Sequence, residues 1–377
     1  MSTHNPTTAA AGGPDKNYNS VSAFFVAVAV MAVLYAGWWF IVKTLAPHSL
    51  HLEFAGKEIV FADFQKKLLG GLVLGLVTAV AVFLAEYLLA GWRESSIRHL
   101  MFGAKSAWSD VVMFLLDQVR LTKVILVVFT LGIGLASGEW LHRFVVQHTG
   151  VEFGVGSWPV WIQLPVVYLI YTYLDFWTHR VGHMKTFWPI HRFHHAAKDF
   201  YILTAVRVHP ADLSSLFILA VPLMFIAPSA ETLFLLFAVQ SFVRLSIHSR
   251  IQSNWGWIGR WLVQSPLDHR MHHIRDMSNG QGENYSLMPL WDRLHNTWRP
   301  GGYPELEIGV DDKDDRSYRH GAWVMPDVVR DYVDFLRNVG AKFGLCETFY
   351  PPEIPTRTKP SAGAPNASGP ATLQKAS

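Results

Sequence analysis

Residues 179–195 read HRVGHMKTFWPIHRFHH, and residues 269–273 return to the end of that pattern as HRMHH. The chain has 18 histidines, and most of those between positions 179 and 273 belong to these three groups. Residues three and four apart share one face of a helix. Each group can therefore direct two or three imidazoles at a single point, which is typical of a metal site.

The number of imidazoles predicts two metal ions rather than one. The three groups supply eight imidazoles, whereas a catalytic zinc takes three protein ligands and a structural zinc takes four. Nitrogen ligands without thiolates suit iron, zinc, copper or nickel, and oxidation of a lipid would require iron or copper. The spacing leaves two more candidates undecided, His209 and His248. The eight histidines of the groups are His179, His183, His191, His194, His195, His269, His272 and His273.

Two carboxylates lie close to these groups in the sequence. Asp175 precedes His179 by about one helical turn, and Asp268 directly precedes His269. Such carboxylates commonly orient a metal-bound imidazole, and a capping or solvated carboxylate would have the same spacing. The pair of E-x-x-H motifs that soluble di-iron bundles carry on two helices is absent, as are the H-E-x-x-H, G-x-S-x-G and Walker motifs. The single cysteine, Cys346, excludes an intramolecular disulfide and has no assigned role.

Composition indicates a membrane protein. Half of the residues are apolar and 16% are charged, whereas about a quarter of a soluble chain is charged. The net charge of +3 gives no support for binding to nucleic acid. Four runs near membrane length are too many to bury as core helices of a soluble protein of 377 residues. We predict six spans, at 21–42, 69–89, 124–138, 158–177, 213–226 and 233–247.

The predicted fold is all-α: a polytopic membrane helical bundle with a cytoplasmic helical cap that carries a histidine-rich dimetal site. Lysine and arginine are more frequent in 93–123 and 178–212 than in the opposite loops, which places the histidine segments in the cytoplasm. Within the cap we predict an interfacial helix at 255–263 and an amphipathic helix at 327–340. The predicted regions are a disordered 1–19, a transmembrane 20–157, a histidine-box catalytic 158–300, a cytoplasmic helical 301–349 and a disordered tail 350–377.

Residues 160–300 resemble the fatty acid hydroxylase/sterol desaturase superfamily of membrane di-iron oxygenases. The resemblance rests on the three histidine groups in order, on RVHP at 207–210, and on SPLDHRMHH at 265–273 leading into ENYSLMPLWDRL at 283–294. It implies two irons held by the eight histidines of the groups and by His248, with Asn284 and Tyr285 shaping the surroundings. The chain departs from the family pattern at Ser286, where glycine is usual, and at His295 and Asn296, where Phe-Gly is usual.

The resemblance also implies a reaction. A C–H bond of a fatty acyl or sterol-like lipid would be hydroxylated with O2 and two electrons, with no catalytic residue beyond the metal site. The electrons would come from a separate protein, a ferredoxin or a b-type cytochrome with its reductase. One alternative is a sterol desaturase or methyl oxidase of the same superfamily. Another is a metal-binding membrane protein without catalysis, such as a transporter, which should hold ligands midway along its spans.

Overall fold

The computed structural model describes most of the chain and is helical apart from one hairpin in the described part. The hairpin pairs strands Leu50–Phe54 and Lys57–Phe61 antiparallel. The predicted all-α class is therefore confirmed. The segments predicted to be disordered, 1–19 and 350–377, lie outside the described residues. The described residues are 21–54, 57–61, 63–69, 72–103, 105–118, 121–122, 133–275, 283–301, 307–315 and 317–345.

The helices of the described part are numbered here in chain order. They are α1 (Val21–Leu45), α2 (Phe64–Leu69), α3 (Leu72–Glu94), α4 (Ser96–Phe102), α5 (Ser106–Gln118), α6 (Ile133–Thr149), α7 (Val160–Gly182), α8 (Trp188–His195), α9 (Val221–Phe225), α10 (Ala230–Ile247), α11 (Gly256–Trp261), α12 (Pro266–His272), α13 (Pro289–Leu294), α14 (Asp312–Asp315) and α15 (Met325–Lys342).

Three of these helices are long and apolar enough to cross a membrane: Val21–Leu45, Leu74–Glu94 and Ala230–Ile247. They correspond to the first, second and sixth predicted spans. Most of the third predicted span lies outside the described residues. The fourth coincides with α7, which does not meet the same criterion, and the fifth with a shorter apolar stretch, Ser215–Phe225. Six spans therefore stay a prediction, and three have the expected length and composition.

The membrane helices pack side by side and bring two helix ends together. α3 packs against both α1 and α10, and α10 packs against α7. Buried apolar side chains such as Tyr171 of α7 and Leu236 of α10 belong to their shared core. The last turn of α7 carries His179, and His248 directly follows α10. Since both helices end at histidines, their packing brings ligands from distant parts of the chain to one place.

Two helices predicted for the region near the site differ in their details. The amphipathic helix predicted at 327–340 is α15, Met325–Lys342. The helix predicted at 255–263 is shorter, Gly256–Trp261, and Trp255 before it is fully buried with its ring edge-to-face against Phe24. The exposed side chains of Trp257 and Trp261 are the part of this segment that retains the interfacial character expected from the sequence.

A buried ionic cluster joins α8 to the C-terminal helices. Arg192, in the middle of HRFHH, is fully buried and lies within 3.0 Å of carboxylate oxygens of Asp314, Asp331 and Asp334. The phenol of Tyr318 donates to the second oxygen of Asp331 at 2.6 Å. Residues on both sides of the predicted boundary at 300–301 therefore share one ionic cluster, and α15 holds the helix that carries the second histidine group.

We expect Arg192→Met to destabilise the protein strongly. The substitution removes the cation that three buried carboxylates share, although Arg330 still lies 3.2 Å from Asp331. Breaking a buried pair in this way costs about 3–5 kcal/mol. Thermal unfolding of the purified protein in detergent should show a large fall in the midpoint. The matched control is Arg143→Met, which breaks the exposed pair with Glu139 and should cost less than about 1 kcal/mol. Equal falls in the two variants would contradict a structural role for the cluster.

Candidate metal centre

The structure brings nine histidines together in two groups. Nitrogens within each group all lie within 4.8 Å of one another. All nine histidines predicted as ligands are present, and His248, which spacing alone left undecided, belongs to the smaller group. The five-histidine group contains His179, His183, His191, His195 and His272, and the four-histidine group contains His194, His248, His269 and His273.

Each H-x-x-H-H motif divides its imidazoles between the two groups. In HRFHH, His191 and His195 join the five-histidine group while His194 joins the other. In HRMHH the first and last histidines, His269 and His273, join the four-histidine group, while His272 joins the five-histidine group. At 3.6 residues per turn, positions i and i+4 are about 40° apart around the helix, whereas i+3 lies about 60° away on the other side. Each motif therefore directs two imidazoles at one point, within the predicted two or three, and the remaining imidazole of each H-x-x-H-H motif lies in the other group.

The nitrogens within each group are as close as ligands of one ion. In the five-histidine group the Nε2 atoms of His183 and His195 lie 3.3 and 3.1 Å from Nε2 of His272. In the other group the Nε2 atoms of His248 and His273 lie 3.0 and 3.2 Å from Nε2 of His269. Two nitrogens that are each about 2.1 Å from one metal are separated by roughly 3.0–3.4 Å. The spacing therefore fits metal ligation.

Hydrogen bonds on the far side of the rings identify which nitrogen carries the proton. Nδ1 of His179 lies 2.5 Å from the carbonyl oxygen of Tyr285, and Nδ1 of His248 lies 2.7 Å from that of Arg244. Nδ1 of His272 lies 3.2 Å from the carbonyl oxygen of Glu283. A carbonyl only accepts, so Nδ1 donates and the Nε2 lone pair faces the group. These three rings therefore present unprotonated Nε2 atoms, the form in which an imidazole binds a metal.

Burial keeps the imidazoles neutral. Burial first, and then the field of His272, lowers the pKa of His191 to about 3. Burial is likewise the main cause that holds the pKa values of His194, His195 and His269 well below the usual range. The neutral ring is the form that binds a metal. The donor set of nine uncharged nitrogens therefore fits two transition-metal ions.

Gly182 allows the closest approach between the first and second histidine groups. A Cβ at this position would lie 2.9 Å from Cγ of His191, which is closer than non-bonded carbons pack. Any larger residue would therefore displace an imidazole of the five-histidine group. A glycine is therefore needed at this position of HRVGH for a steric reason, which the histidine spacing in the sequence did not reveal.

The segment after the third histidine group supplies the carbonyls that orient two imidazoles. Asp292 fixes this segment, because its two carboxylate oxygens accept from the backbone N–H groups of Tyr285 and Ser286 at 2.9 and 2.8 Å. Thr297 donates to the same carboxylate at 2.7 Å. Burial raises the pKa of Asp292 to about 7. The Trp-Asp-Arg-Leu element thus has a structural role, because it supports His179 through Tyr285. The sequence alone did not indicate this role.

Asn284 and Tyr285 border the centre as expected, each by a different contact. The amide nitrogen of Asn284 donates to the carbonyls of Asp268 and Arg299 at 2.9 and 2.8 Å, which ties the segment to α12. Its backbone has φ 80°, a conformation that asparagine tolerates better than most residues. The ring of Tyr285 stands edge-to-face against those of His179 and His272.

The other three predicted neighbours do not orient the ligands through their side chains. Asp175 accepts from Nη2 of Arg244 at 2.7 Å. Asp268 accepts from the backbone N–H of Gly301 at 2.6 Å, and burial raises its pKa to about 6. Both nitrogens of His209 bond to backbone groups, the N–H of Ala211 and the carbonyl of Val328, so this histidine is a structural residue. The orienting role predicted for the carboxylates belongs to backbone carbonyls.

A cavity lies against both histidine groups. Imidazoles of His179 and His191 from one group and of His194 and His269 from the other form part of its wall. Apolar side chains also line it, and so does the Asp175–Arg244 pair. A molecule bound in this cavity would therefore lie beside both candidate metal sites.

Comparison with known proteins identifies the same region. Residues 164–297 match the family described as fatty acid hydroxylase. The chain is 25% identical over 170 residues to the ornithine lipid hydroxylase OlsE of Rhizobium tropici. The aligned residues make up 43% of this chain and 50% of that protein. The match confirms the resemblance to the fatty acid hydroxylase superfamily that the histidine groups indicated.

Alkylglycerol monooxygenases form a second set of relatives. The human protein is 27% identical over 125 residues, covering 33% of this chain and 27% of that protein. The Xenopus tropicalis protein is 27% identical over 127 residues, covering 33% of this chain and 28% of that protein. The chain thus spans half or less of the length of these relatives. No solved structure matches it.

We expect Asp292→Ala to weaken the five-histidine group selectively. The substitution releases the segment whose Tyr285 carbonyl orients His179, and loss of such support costs 10–100-fold in metal affinity. Stepwise removal of metal by a chelator should then show one ion lost much earlier than the other. The control is Asp117→Ala, because the hydrogen bond of this carboxylate within the described residues is a local one, from Thr122. Parallel loss of both ions in Asp292→Ala would contradict selective support.

Proposed function

We propose that this protein is a membrane-bound di-iron oxygenase that hydroxylates a lipid C–H bond. The observation that carries the proposal is the pair of buried histidine groups, with neutral rings, converging Nε2 atoms and a cavity against both. Two irons bound there would supply the activation of O2. Hydroxylation requires the lipid, O2, two electrons and two protons, and it yields the alcohol and water.

The similar proteins support hydroxylation over desaturation. The family is described as fatty acid hydroxylase, and the relatives are described as a lipid hydroxylase and as monooxygenases. The placement of the ligands speaks against a transporter, since His179 lies in the last turn of α7 and His248 follows the end of α10. A pathway across the membrane would need ligands midway along the helices.

The residues of the chain perform three tasks in the proposed reaction. The nine imidazoles would hold the two ions through neutral nitrogens and would add no charge to the centre. The carbonyls of Glu283, Tyr285 and Arg244 fix the orientation of three rings. The buried setting keeps bulk water away from the reacting C–H bond, which protects a reactive oxidant from side reactions.

The arrangement in the membrane is part of the proposal. We place the centre on the cytoplasmic side, as the distribution of lysine and arginine predicts, with the chain crossing the bilayer several times. The lipid would enter the cavity from the bilayer between the helices that end at the centre. Electrons would come from a separate carrier, a ferredoxin or a b-type cytochrome with its reductase.

We expect His272→Ala to abolish lipid oxidation and to lower the iron content. His272 contributes Nε2 to the five-histidine group and lies within 3.3 Å of two other ligand nitrogens, so its loss opens one of the two sites. Iron should be measured in purified protein, with about two ions per chain in the unsubstituted protein. Oxidation should be followed by mass spectrometry of a lipid panel supplied with O2 and a reductant.

His320→Ala is the matched control, because His320 lies outside both histidine groups. It should retain both iron and activity. If His272→Ala still oxidised the lipid, the third histidine motif would not be part of the metal site. The oxygenase proposal as a whole would be overturned if the purified protein contained zinc and if replacing that zinc with iron gave no gain of activity.

A further inference from the structure

A second pocket lies outside the cavity of the candidate metal centre, where α11 packs against α13. Arg260 of α11 and Arg293 of α13 line this arginine pocket, together with Trp298. Among the described residues, the lining of the arginine pocket and the lining of the cavity have no member in common. Neither arginine has a task in the proposed oxidation, so the pocket needs an explanation of its own.

The guanidinium of Arg293 is held in a fixed orientation. Its central carbon lies 4.5 Å from the ring centroid of Trp261 and 3.8 Å from that of Trp298. Its Nε donates to the backbone carbonyl of Arg260 at 2.7 Å. The two terminal nitrogens have no hydrogen-bond acceptor in the described part of the chain. These are donors with which an oriented arginine binds the oxygens of a phosphate.

The pocket carries positive charge that no ion pair neutralises. Arg260 is exposed, and neither it nor Arg293 pairs with a carboxylate of the described residues. Burial first, and then the field of Arg260, lowers the pKa of Arg293, while Asp268 opposes them more weakly. Asp268 also lines the pocket, but it is buried and accepts from the backbone N–H of Gly301 at 2.6 Å. An anion between the two guanidiniums would therefore be attracted by both.

The surface beside the pocket lies at one end of a candidate membrane helix. Trp255, directly before α11, packs edge-to-face on Phe24 near the start of α1. Trp257 and Trp261 are four residues apart, so they share a face of α11, and both are exposed. Exposed tryptophans are typical of the boundary between membrane and water. We therefore expect Arg260, which precedes Trp261, to lie at the level of the lipid headgroups.

We propose that the arginine pocket binds the phosphate of an anionic phospholipid of the bilayer. The terminal nitrogens of Arg293 donate to the phosphate oxygens, and Arg260 supplies a second positive charge at the rim of the pocket. The acyl chains of this lipid extend into the bilayer beside Trp257 and Trp261. This lipid is distinct from the molecule in the cavity, because the two sites are lined by different residues.

The size of the expected preference follows from the charges. A basic residue near an anionic membrane surface strengthens binding about fivefold. Phosphatidylglycerol carries one net negative charge, whereas the choline of phosphatidylcholine neutralises the charge of its phosphate and would be repelled by the arginines. We therefore expect phosphatidylglycerol to bind at least about fivefold more tightly than phosphatidylcholine with the same acyl chains.

The test is a lipid titration followed by native mass spectrometry. Full-length, metal-loaded protein in detergent is titrated with palmitoyl-oleoyl-phosphatidylglycerol, and separately with phosphatidylcholine that carries the same two chains. The affinity of the first bound lipid is measured in each case. Arg260→Gln and Arg293→Gln should each weaken the binding of phosphatidylglycerol about fivefold. The affinity for phosphatidylcholine and the metal content should stay unchanged in both variants.

Arg319→Gln is the matched control. It removes the same charge from an exposed arginine that does not line the arginine pocket, so the preference should remain as in the unsubstituted protein. If Arg293→Gln does not yield folded protein, Arg260→Gln decides alone, because its side chain is exposed. Equal binding of the two lipids by the unsubstituted protein would overturn the proposal. An unchanged preference in folded Arg260→Gln, or an equal loss in Arg319→Gln, would overturn it too.

Competition with glycerol phosphate identifies the source of the bound phosphate. This molecule has the same phosphate ester but no acyl chains, so at equal concentration it should not displace phosphatidylglycerol. If it displaced the lipid, the ligand would be a soluble phosphate ester, and the assignment to a phospholipid would be overturned. The titration needs neither O2 nor a reductant, so its outcome is independent of the proposed oxidation.

Discussion

The rest of the structure depends on one constraint: nine imidazoles, six of them buried and three half-buried, direct their Nε2 atoms at two points. The Nε2 atoms of His248 and His269 lie 3.0 Å apart, and those of His195 and His272 lie 3.1 Å apart, as two ligands of one ion do. The constraint requires neutral rings, which burial provides, and it requires Nδ1 to carry the proton. Outward-facing carbonyls such as that of Tyr285 meet the second requirement.

The surroundings of the centre are organised so that these rings do not move. Buried ion pairs hold the helices that carry them, since Arg192 joins α8 to the C-terminal helices, and Arg207 pairs with Asp110 at 3.0 Å while donating to the carbonyl of Phe193. Asp292 fixes the segment that bears the Tyr285 carbonyl. A buried charge that loses its partner is costly, so each pair resists the displacements that would separate the ligands. The C-terminal helices thus support a centre to which they contribute no ligand.

The same helix ends connect the centre to the membrane. α10 is an apolar helix that carries Arg244 one turn before His248. Arg244 pairs with Asp175, which lies one turn before His179 on α7. The carbonyl of Arg244 orients His248 while its guanidinium lines the cavity. One residue thereby links the geometry of a ligand to the polarity of the space beside it.

The sequence by itself determined the helical class, the apolar helices near 21–42, 69–89 and 233–247, and the histidines that meet, because hydrophobic periodicity and i, i+4 spacing are local properties. It also indicated the superfamily, because its motifs are contiguous. Only the tertiary structure decided that each H-x-x-H-H motif serves two sites, that carbonyls rather than Asp175 and Asp268 orient the rings, and that His209 is structural. These outcomes depend on contacts between residues far apart in the chain, such as Asp292 with Tyr285 and Arg192 with Asp331, and packing sets such contacts without leaving a local pattern in the sequence.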